Sequence, residues 1–225
     1  METTKRAKTK KKATKSSIDA LTEAYRTYLL TEGAQPASVF AFCRDNGLTE
    51  TDFYSHFASF EALEKAIWRG YAQTVVAKLT SDDAYTSFSA REKVLSFHFT
   101  LAEVLKSDRS FVLHQLKSWK VKAVTPTYLK AFKSEFDSWI DHVLNTGKQS
   151  QEIAARPFLD TQYGNLFWMH LLFILQFWVH DESVNFEKTD MAIEKSVNLA
   201  FDLIGKGVLD NALDFGKFLY QQSKN

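Results

Sequence analysis

Apolar residues recur at helical spacing along almost the whole chain after residue 16. In the first such segment Ile18, Leu21, Tyr25 and Leu29 fall on one face of a helix. Similar stripes recur further along the chain, within residues 63–75, 94–105, 129–143, 166–179 and 193–204. No alternating pattern of the kind that strands show competes with them, so the sequence predicts an all-α protein.

Capping residues and glycines predict the helix boundaries in the first 80 residues. Ser17 is suited to begin the first helix and Gly33 to end it. A short second helix is expected over about residues 37–46, and Thr49 is suited to begin a third. Ser59 then precedes a longer fourth helix. This layout is typical of a helix-turn-helix domain.

The same signals predict further helices in the second part of the chain. Ser89 and Glu92 form a capping box, Pro126 stands in a first turn, and Gly147 is a candidate helix end. The helices are expected over about residues 89–105, 108–121, 126–146, 157–180, 189–204 and 208–221.

Charge is distributed unevenly along the chain, although the net charge is only +1. Residues 1–16 carry seven basic residues and one acid, whereas residues 17–225 carry an excess of acids. We therefore expect a disordered basic arm over residues 1–16, a helix-turn-helix domain over 17–80, and a second helical domain over 81–225. Clustered lysines ahead of a helix-turn-helix are suited to contact phosphates.

The longest apolar run is too short to cross a membrane. It covers Leu166–Val179 and is interrupted by His170 and Gln176, whereas a spanning helix needs about 20 apolar residues. No apolar segment follows the charged N-terminus, as a secretory signal would require. These features predict a cytoplasmic protein with no membrane partner.

The segment Pro36–Leu63 carries closely spaced residues of a known helix-turn-helix type, including the turn Gly47-Leu48-Thr49 and the pairs Phe53-Tyr54 and His56-Phe57. In these positions it resembles the DNA-binding domain of TetR-family transcriptional regulators. The C-terminal segments FWVHDES and NFEKTDMAIEKSVNLAFDLI are similar to one branch of the same family.

The resemblance implies a TetR-like architecture, with a long fourth helix leading to a C-terminal bundle that dimerises. Such a homodimer would bind pseudo-palindromic double-stranded DNA. The implied DNA-binding residues are Ser38, Thr49, Glu50, Thr51, Tyr54, Ser55 and His56, with Lys10, Lys11, Lys12 and Lys15 of the arm. The implied dimer-interface residues are Phe177, Trp178, Ile193, Val197, Phe201 and Ile204.

The charge of the helix-turn-helix departs from the family pattern. Residues 17–70 hold four basic and eight acidic residues, and Glu50 and Asp52 open the recognition helix. Phe60 stands where the family often has a phosphate-binding lysine. Either the basic arm supplies the missing charge, with Glu50 reading cytosine, or DNA binding has been lost. In the second case the protein would be an accessory protein that binds a lipid or isoprenoid.

The resemblance also implies a small apolar ligand inside the C-terminal domain. The expected lining, selected by helix face and aromatic content, is Phe97, His98, Leu101, Trp119, Phe136, Trp139, Phe167, His170 and Phe173. His98 and His170 are either hydrogen-bonded core residues or polar anchors for this ligand, and the aromatic residues are either ordinary core or cavity wall.

No motif for catalysis, metal binding or cofactor binding is present in the sequence. The chain lacks GxSxG, P-loop, GxGxxG and HExxH patterns. The single cysteine, Cys43, excludes an intrachain disulfide and is predicted to be a packed, inert thiol. We therefore expect a protein that is not an enzyme and needs no cofactor.

Overall fold

A computed structural model describes residues 2–117, 119, 125–156, 159–205, 207, 215 and 218–222, with side chains from residue 17 onward. Over these residues the regular structure is helical and contains no strand, which confirms the all-α prediction. The helices are α1 (Glu2–Glu32), α2 (Val39–Asp45), α3 (Glu50–His56), α4 (Phe60–Thr80), α5 (Ala90–Lys106), α6 (Arg109–Leu116), α7 (Lys130–Gln149), α8 (Asp160–Val179) and α9 (Glu187–Ile204). Short 3₁₀ turns cover Asp83–Ser87, Thr127–Leu129 and Val184–Phe186.

The first helix begins earlier than the sequence suggested. It extends back to Glu2, whereas we predicted a disordered arm over residues 1–16 and a start at Ser17. No glycine or proline stands between residues 2 and 32, so nothing in the local sequence interrupts the helix. Pro157 and most of the predicted last helix over residues 208–221 lie outside the described residues.

Two compact units divide the chain, and the division is not linear in sequence. The first unit combines Met1–Gly70 with Asp108–Phe132, and the second combines Tyr71–Ser107 with Lys133–Asn225. We expected one domain to end near residue 80 and the other to follow it. Instead α6 and the segment after it belong with the helix-turn-helix.

A cluster of aromatic rings forms the core of the helix-turn-helix. The ring of Phe42 lies edge-on to that of Phe53 at 6.3 Å and to that of Phe60 at 5.4 Å. Phe60 also stacks on Tyr25 at 5.4 Å, and all four side chains are buried. This packing joins α1, α2, α3 and the start of α4, because each helix supplies one of the rings.

A second aromatic cluster forms the core of the second unit. Phe97 of α5 stacks on Trp139 of α7 with ring centroids 4.2 Å apart, and Phe136 lies 5.3 Å from Phe97. Phe136 also contacts Trp168 of α8 at 5.8 Å. These large rings fill the space between the helices.

We predicted from the sequence that Gly147 ends its helix, and this prediction is wrong. The helix α7 continues to Gln149, and Gly147 is buried within it. A Cβ atom at this position would lie 2.7 Å from Ile153 Cδ1 and 2.8 Å from Ala90 Cβ. The residue is therefore needed for the close approach of its neighbours rather than for a turn.

Replacing this glycine is expected to destabilise the protein. Gly147→Ala forces the packed neighbours apart, so we expect a loss of about 1–3 kcal/mol in the free energy of unfolding, measured by urea denaturation. Gly70→Ala is the matched control, because a Cβ at Gly70 in α4 meets nothing within 4 Å. The control should gain up to about 1 kcal/mol from helix propensity. Equal stability of the two variants would contradict this role of Gly147.

Candidate DNA interface and apolar groove

The turn between α2 and α3 is built from local hydrogen bonds. Ser38 caps α2, because its Oγ accepts a hydrogen bond from Ala41 N over 3.1 Å. Gly47 adopts φ of +65°, a left-handed conformation that glycine tolerates best. Leu48 N then donates to Cys43 O over 2.8 Å, and the chain reverses direction into the next helix.

The helix α3 has one buried side and one exposed side. Thr49 caps it by accepting a hydrogen bond from Asp52 N over 3.0 Å. Phe53 is fully buried in the aromatic cluster, whereas Tyr54 is 55% exposed. The other predicted contact residues of this helix are also on the surface, with Glu50, Thr51 and Ser55 exposed and His56 half-buried.

The hydroxyl groups of the predicted DNA-binding set already have local hydrogen bonds. Those of Ser38 and Thr49 cap helices, and Ser55 Oγ donates to Asp52 O over 2.8 Å. Thr51 and Tyr54 are therefore the uncharged residues of α3 whose side chains are best placed to contact a partner. The lysine side chains predicted to contact DNA from residues 10–15 lie outside the described residues.

Carboxylates surround the basic residues near this interface. Arg44 Nε donates to Asp45 Oδ1 over 2.8 Å, and Lys65 donates to Glu61, whose pKa the lysine lowers. Glu50 and Asp52 stand exposed in the first turn of α3. The side chain at position 60 is buried and apolar, so it offers phosphates no charge. The negative character expected from the sequence thus persists on the folded surface.

The lone cysteine lies beneath this surface as a packed thiol. Cys43 is 2% exposed, and burial raises the pKa of its thiol, with a further contribution from the carboxylates of Glu50 and Asp52. A thiol held in its protonated form is a weak nucleophile and a weak metal ligand. This environment agrees with the prediction of an inert thiol.

Polar contacts tie α6 to the helix-turn-helix within the first unit. Arg26 Nη2 of α1 lies 3.4 Å from Asp108 Oδ2, just before α6. Glu64 Oε1 of α4 accepts hydrogen bonds from Tyr25 OH over 2.6 Å and from Gln115 Nε2 over 2.8 Å. Burial, followed by these contacts with Glu64, raises the pKa of Tyr25. Sequence analysis missed this network, since its members are far apart in the chain and match no motif.

Ring contacts join six of the residues predicted to line a ligand cavity, namely Phe97, Phe136, Trp139, His98, His170 and Phe167. Phe97, Leu101, Phe136 and Trp139 are buried side chains of the second core, and Trp119 lies in the first unit. Phe173 points outward and is 50% exposed. The aromatic content that suggested a cavity wall is used mainly to fill the core.

A groove of about 440 Å³ does exist between α8 and α9, in the second unit. It contains two of the predicted residues, Phe167 and His170. Its lining carries no charged side chain and consists of Leu159, Gln162, Tyr163, Leu166, Phe167, His170, Ala200, Leu203 and Ile204. The volume is within the range of small-molecule sites.

Two histidines lie together next to this groove. The ring centroids of His98 in α5 and His170 in α8 are 4.9 Å apart. Burial lowers the pKa of His98 to about 3, with a further contribution from His170, and burial lowers the pKa of His170 to about 4. Both rings are therefore neutral at physiological pH. The sequence identified both as candidate anchors but did not indicate that they meet.

The predicted dimer-interface residues face the inside of the protomer. Trp178, Ile193, Val197, Phe201 and Ile204 are buried in the second unit, and Phe177 is half-buried. This burial corrects the expectation that these residues form the dimer interface. The helix α9 has two apolar stripes, and the one that contains Ile193, Val197 and Phe201 packs against α5 and α8. The exposed apolar face of these two helices consists instead of Leu166, Met169, Phe173, Met191, Leu199 and Leu203.

Two further types of site are absent from the described residues. No group of three or more metal-ligating side chains is close enough to hold an ion. No described helix combines the length and hydropathy that crossing a bilayer would require.

Comparisons with known proteins place this geometry in context. A family model described as "Tetracyclin repressor-like, C-terminal domain" matches residues 93–219. No curated protein matches the chain. One similar solved structure comes from Syntrophomonas wolfei str. Goettingen and is described as a TetR-family transcriptional regulator. Its sequence is 15% identical to this chain, and the two structures superpose with a TM-score of 0.67. The match covers 86% of this chain and 98% of the other.

Two further solved structures have a similar fold. One from Shewanella sp. PV-4, described as a TetR-family transcription regulator, is 14% identical with a TM-score of 0.59, over 84% of this chain and 97% of that one. A protein of unknown function from Rhodococcus sp. RHA1 is 11% identical with a TM-score of 0.56, over 84% and 96% of the two chains. At these identities the likeness is one of fold.

Proposed function

Because the chain belongs to the TetR family of transcriptional regulators, we propose that it is a homodimeric, sequence-specific DNA-binding repressor of the cytoplasm whose DNA affinity responds to a small apolar ligand. The observation that carries this proposal is the build of α3. A threonine cap and buried phenylalanines hold the helix, while Thr51 and Tyr54 are exposed on its outer side, where an α-helix can present side chains to a major groove.

The acidic first turn of α3 suggests how affinity and sequence selection are divided between parts of the protein. Exposed carboxylates repel phosphates, so the folded helix-turn-helix contributes little non-specific affinity. The lysines of residues 1–16 then supply most of the attraction to the DNA backbone. Glu50 can accept a hydrogen bond from cytosine N4 and so act in sequence selection rather than in affinity.

The response to a ligand would pass through the contacts between α6 and the helix-turn-helix. A ligand changes DNA affinity only if it binds two arrangements of the protein with different affinity. The Arg26–Asp108 pair and the Glu64–Gln115 hydrogen bond join α6 to α1 and α4, so a shift of α6 would alter the support of α3. These contacts lie within the first unit and support the part of the proposal that concerns α6 and the helix-turn-helix.

Selection from a random duplex library tests DNA binding directly. We expect the full-length protein to enrich a pseudo-palindromic site at low salt. Tyr54→Ala should weaken binding to that site by about 10- to 100-fold, the usual effect of losing a base-edge contact. Tyr220→Ala, at a tyrosine of similar exposure in the second unit, is the matched control and should bind normally. The absence of any enriched site would reject the proposed function.

A second candidate function is favoured by the acidic surface and the groove together. A protein with this fold that has lost DNA binding could act as an accessory protein that holds a lipid or isoprenoid. Exposed Glu50 and Asp52 argue against strong phosphate contacts, and the groove between α8 and α9 is apolar. Failure of the DNA selection, with a lipid identified by mass spectrometry in the purified protein, would favour this candidate.

A further inference from the structure

A hollow of about 560 Å³ lies in the second unit, between the end of α4, the 3₁₀ turn Asp83–Ser87 and one face of α5. Its wall combines aromatic rings with charged and hydroxyl side chains, whereas the groove between α8 and α9 carries no charged side chain. The hollow shares no residue with that groove or with the exposed apolar face of α8 and α9. Pairing of two protomers through that face therefore does not use this hollow.

Three aromatic rings supply the apolar part of the hollow. Tyr85 and Phe88 lie with their ring centroids 6.0 Å apart, and Phe99 of α5 is 37% exposed. Tyr85 is fixed in place because its hydroxyl oxygen accepts a hydrogen bond from Trp139 Nε1 over 2.9 Å. The rings therefore form a preorganised surface for an apolar or aromatic group.

Two hydroxyl groups of α5 line the hollow without an intramolecular partner. Hydroxyls inside a helix can donate to a carbonyl one turn earlier, as those of Ser138 and Thr146 do in α7 over 3.0 Å and 2.9 Å. Ser96 and Thr100, which are half-buried and one turn apart, make no such bond within the described part of the chain. Their hydrogens are available to an acceptor on a bound molecule.

Charges of both signs line the same hollow and do not neutralise one another. Lys78, in the last turn of α4, makes no ion pair with any described carboxylate, although Asp82 is only four residues further along. One oxygen of Asp82 accepts a hydrogen bond from Ala84 N over 2.9 Å, which leaves the other oxygen for a ligand. Glu103 is exposed, and its one described polar contact is with Lys106 at 3.5 Å. The hollow therefore offers one ammonium group and two carboxylates to a bound molecule.

These groups together restrict the chemistry of a molecule in the hollow. A molecule without charge would cover the charged side chains and give them no partner. An organic cation would meet the like charge of Lys78, and an anion would meet those of Asp82 and Glu103. A zwitterion avoids both costs, because its ammonium group pairs with the carboxylates while its own carboxylate pairs with the lysine and accepts from the hydroxyls. The volume is within the range of small-molecule sites.

We propose that the hollow between α4 and α5 binds a free amino acid with an aromatic or large aliphatic side chain. The ammonium group contacts Asp82 and Glu103, the carboxylate contacts Lys78, and the side chain lies against the aromatic rings. The inference goes beyond the proposed function, because both the site and the class of ligand differ from those proposed above. It is tested by binding without DNA, so its failure can be told apart from failure of DNA binding.

Three matched probes test the class of ligand by calorimetry on the full-length protein. L-Phenylalanine carries both charges, 2-phenylethylamine lacks the carboxylate, and 3-phenylpropanoate lacks the ammonium group. We expect L-phenylalanine to bind about five- to tenfold more tightly than either of the others, the effect of one charged contact at a partly exposed site.

Two variants assign each charge of the ligand to its partner. Lys78→Gln removes the cation, so L-phenylalanine and 2-phenylethylamine should then bind within about twofold of each other. Asp82→Asn combined with Glu103→Gln removes the carboxylates, so L-phenylalanine and 3-phenylpropanoate should converge in the same way. Asparagine at position 82 keeps an oxygen that can accept from Ala84 N. Lys188→Gln, at an exposed lysine of α9, is the matched control and should leave both preferences unchanged.

Several outcomes would overturn the inference. Equal affinity of the three probes would mean that the charged side chains take no part, and tighter binding of 2-phenylethylamine would make an organic cation the occupant. Unchanged preferences in both Lys78→Gln and the double variant would place the amino acid at another site. If none of the probes binds at millimolar concentration or changes the hydrogen exchange of α5, the hollow is not an amino-acid site.

Discussion

Lowering the pH from 7 to 5 is expected to reduce the free energy of unfolding of this protein by about 3–4 kcal/mol. His98 and His170 have pKa values of about 3 and about 4 in the folded protein, because burial disfavours their charged forms. In the unfolded chain a histidine has a pKa of about 6.5. The unfolded state therefore binds more protons below that pH, and stability rises with pH.

The pH window follows from these pKa values. The stabilisation is complete above about pH 6.5 and is lost as the pH falls toward 4, with about 2 kcal/mol lost per histidine at pH 5. Because His170 is partly exposed, it contributes less than His98 to this loss of stability. Hydrogen bonds from Ser183 and Thr189 outweigh burial and lower the pKa of Asp181 to about 2, so this carboxylate acts only below the window.

Urea denaturation at a series of pH values measures the loss of the free energy of unfolding. Variants in which leucine, which does not titrate, replaces the histidines provide the comparison. The double variant with His98→Leu and His170→Leu should lose most of the pH dependence between 7 and 5. His142→Leu, at an exposed histidine, is the matched control and should keep it. If the double variant and the wild type lose stability equally on acidification, the histidine pair is not the cause.

Placing charges on the exposed apolar face of α8 and α9 is expected to convert the proposed dimer into monomers. Phe173 is 50% exposed and Leu199 is 60% exposed in the protomer. A two-fold axis would place each substitution in the interface twice. Phe173→Glu combined with Leu199→Glu would therefore bury four unpaired carboxylates, at a cost of several kcal/mol.

Sedimentation at micromolar concentration and DNA titration would measure the two consequences. The double variant should sediment as a monomer, and its affinity for the selected site should fall by about 10²- to 10⁴-fold because two linked half-sites are no longer engaged together. Val184→Glu is the matched control, since Val184 is 75% exposed but lies in a 3₁₀ turn outside both α8 and α9. A double variant that remains dimeric would show that another surface pairs the protomers.

The helix-turn-helix was the most predictable part of the molecule, because its signals are local. Thr49 caps the helix that it was predicted to begin, and Gly47 adopts the left-handed conformation that its turn requires. A capping hydrogen bond joins residues only two or three positions apart, so its partners are visible in the sequence. Gly147, in the second unit, was predicted wrongly, since its role depends on Ala90 and Ile153 rather than on a turn of its own.

The second unit was less predictable, because α8 is apolar around most of its surface and α9 has apolar residues on two sides. In α9 the stripe of Ile193, Val197 and Phe201 shows the expected spacing, yet it packs inside the protomer, and Leu199 and Leu203 face outward. Hydrophobic periodicity identifies an apolar face but does not indicate what covers it. The predicted ligand cavity stays a prediction for the same reason, since its aromatic residues are equally suited to fill a core.

The sequence by itself determined the helical class, the turn between α2 and α3, the family resemblance and the contrast between a basic N-terminal segment and an acidic body. Each depends on composition or on residues close together in the chain. Only the tertiary structure decided that α6 joins the helix-turn-helix, that His98 meets His170, and which stripe of α9 faces solvent. These features join residues that are distant in the chain, and their contacts exist only once the helices pack.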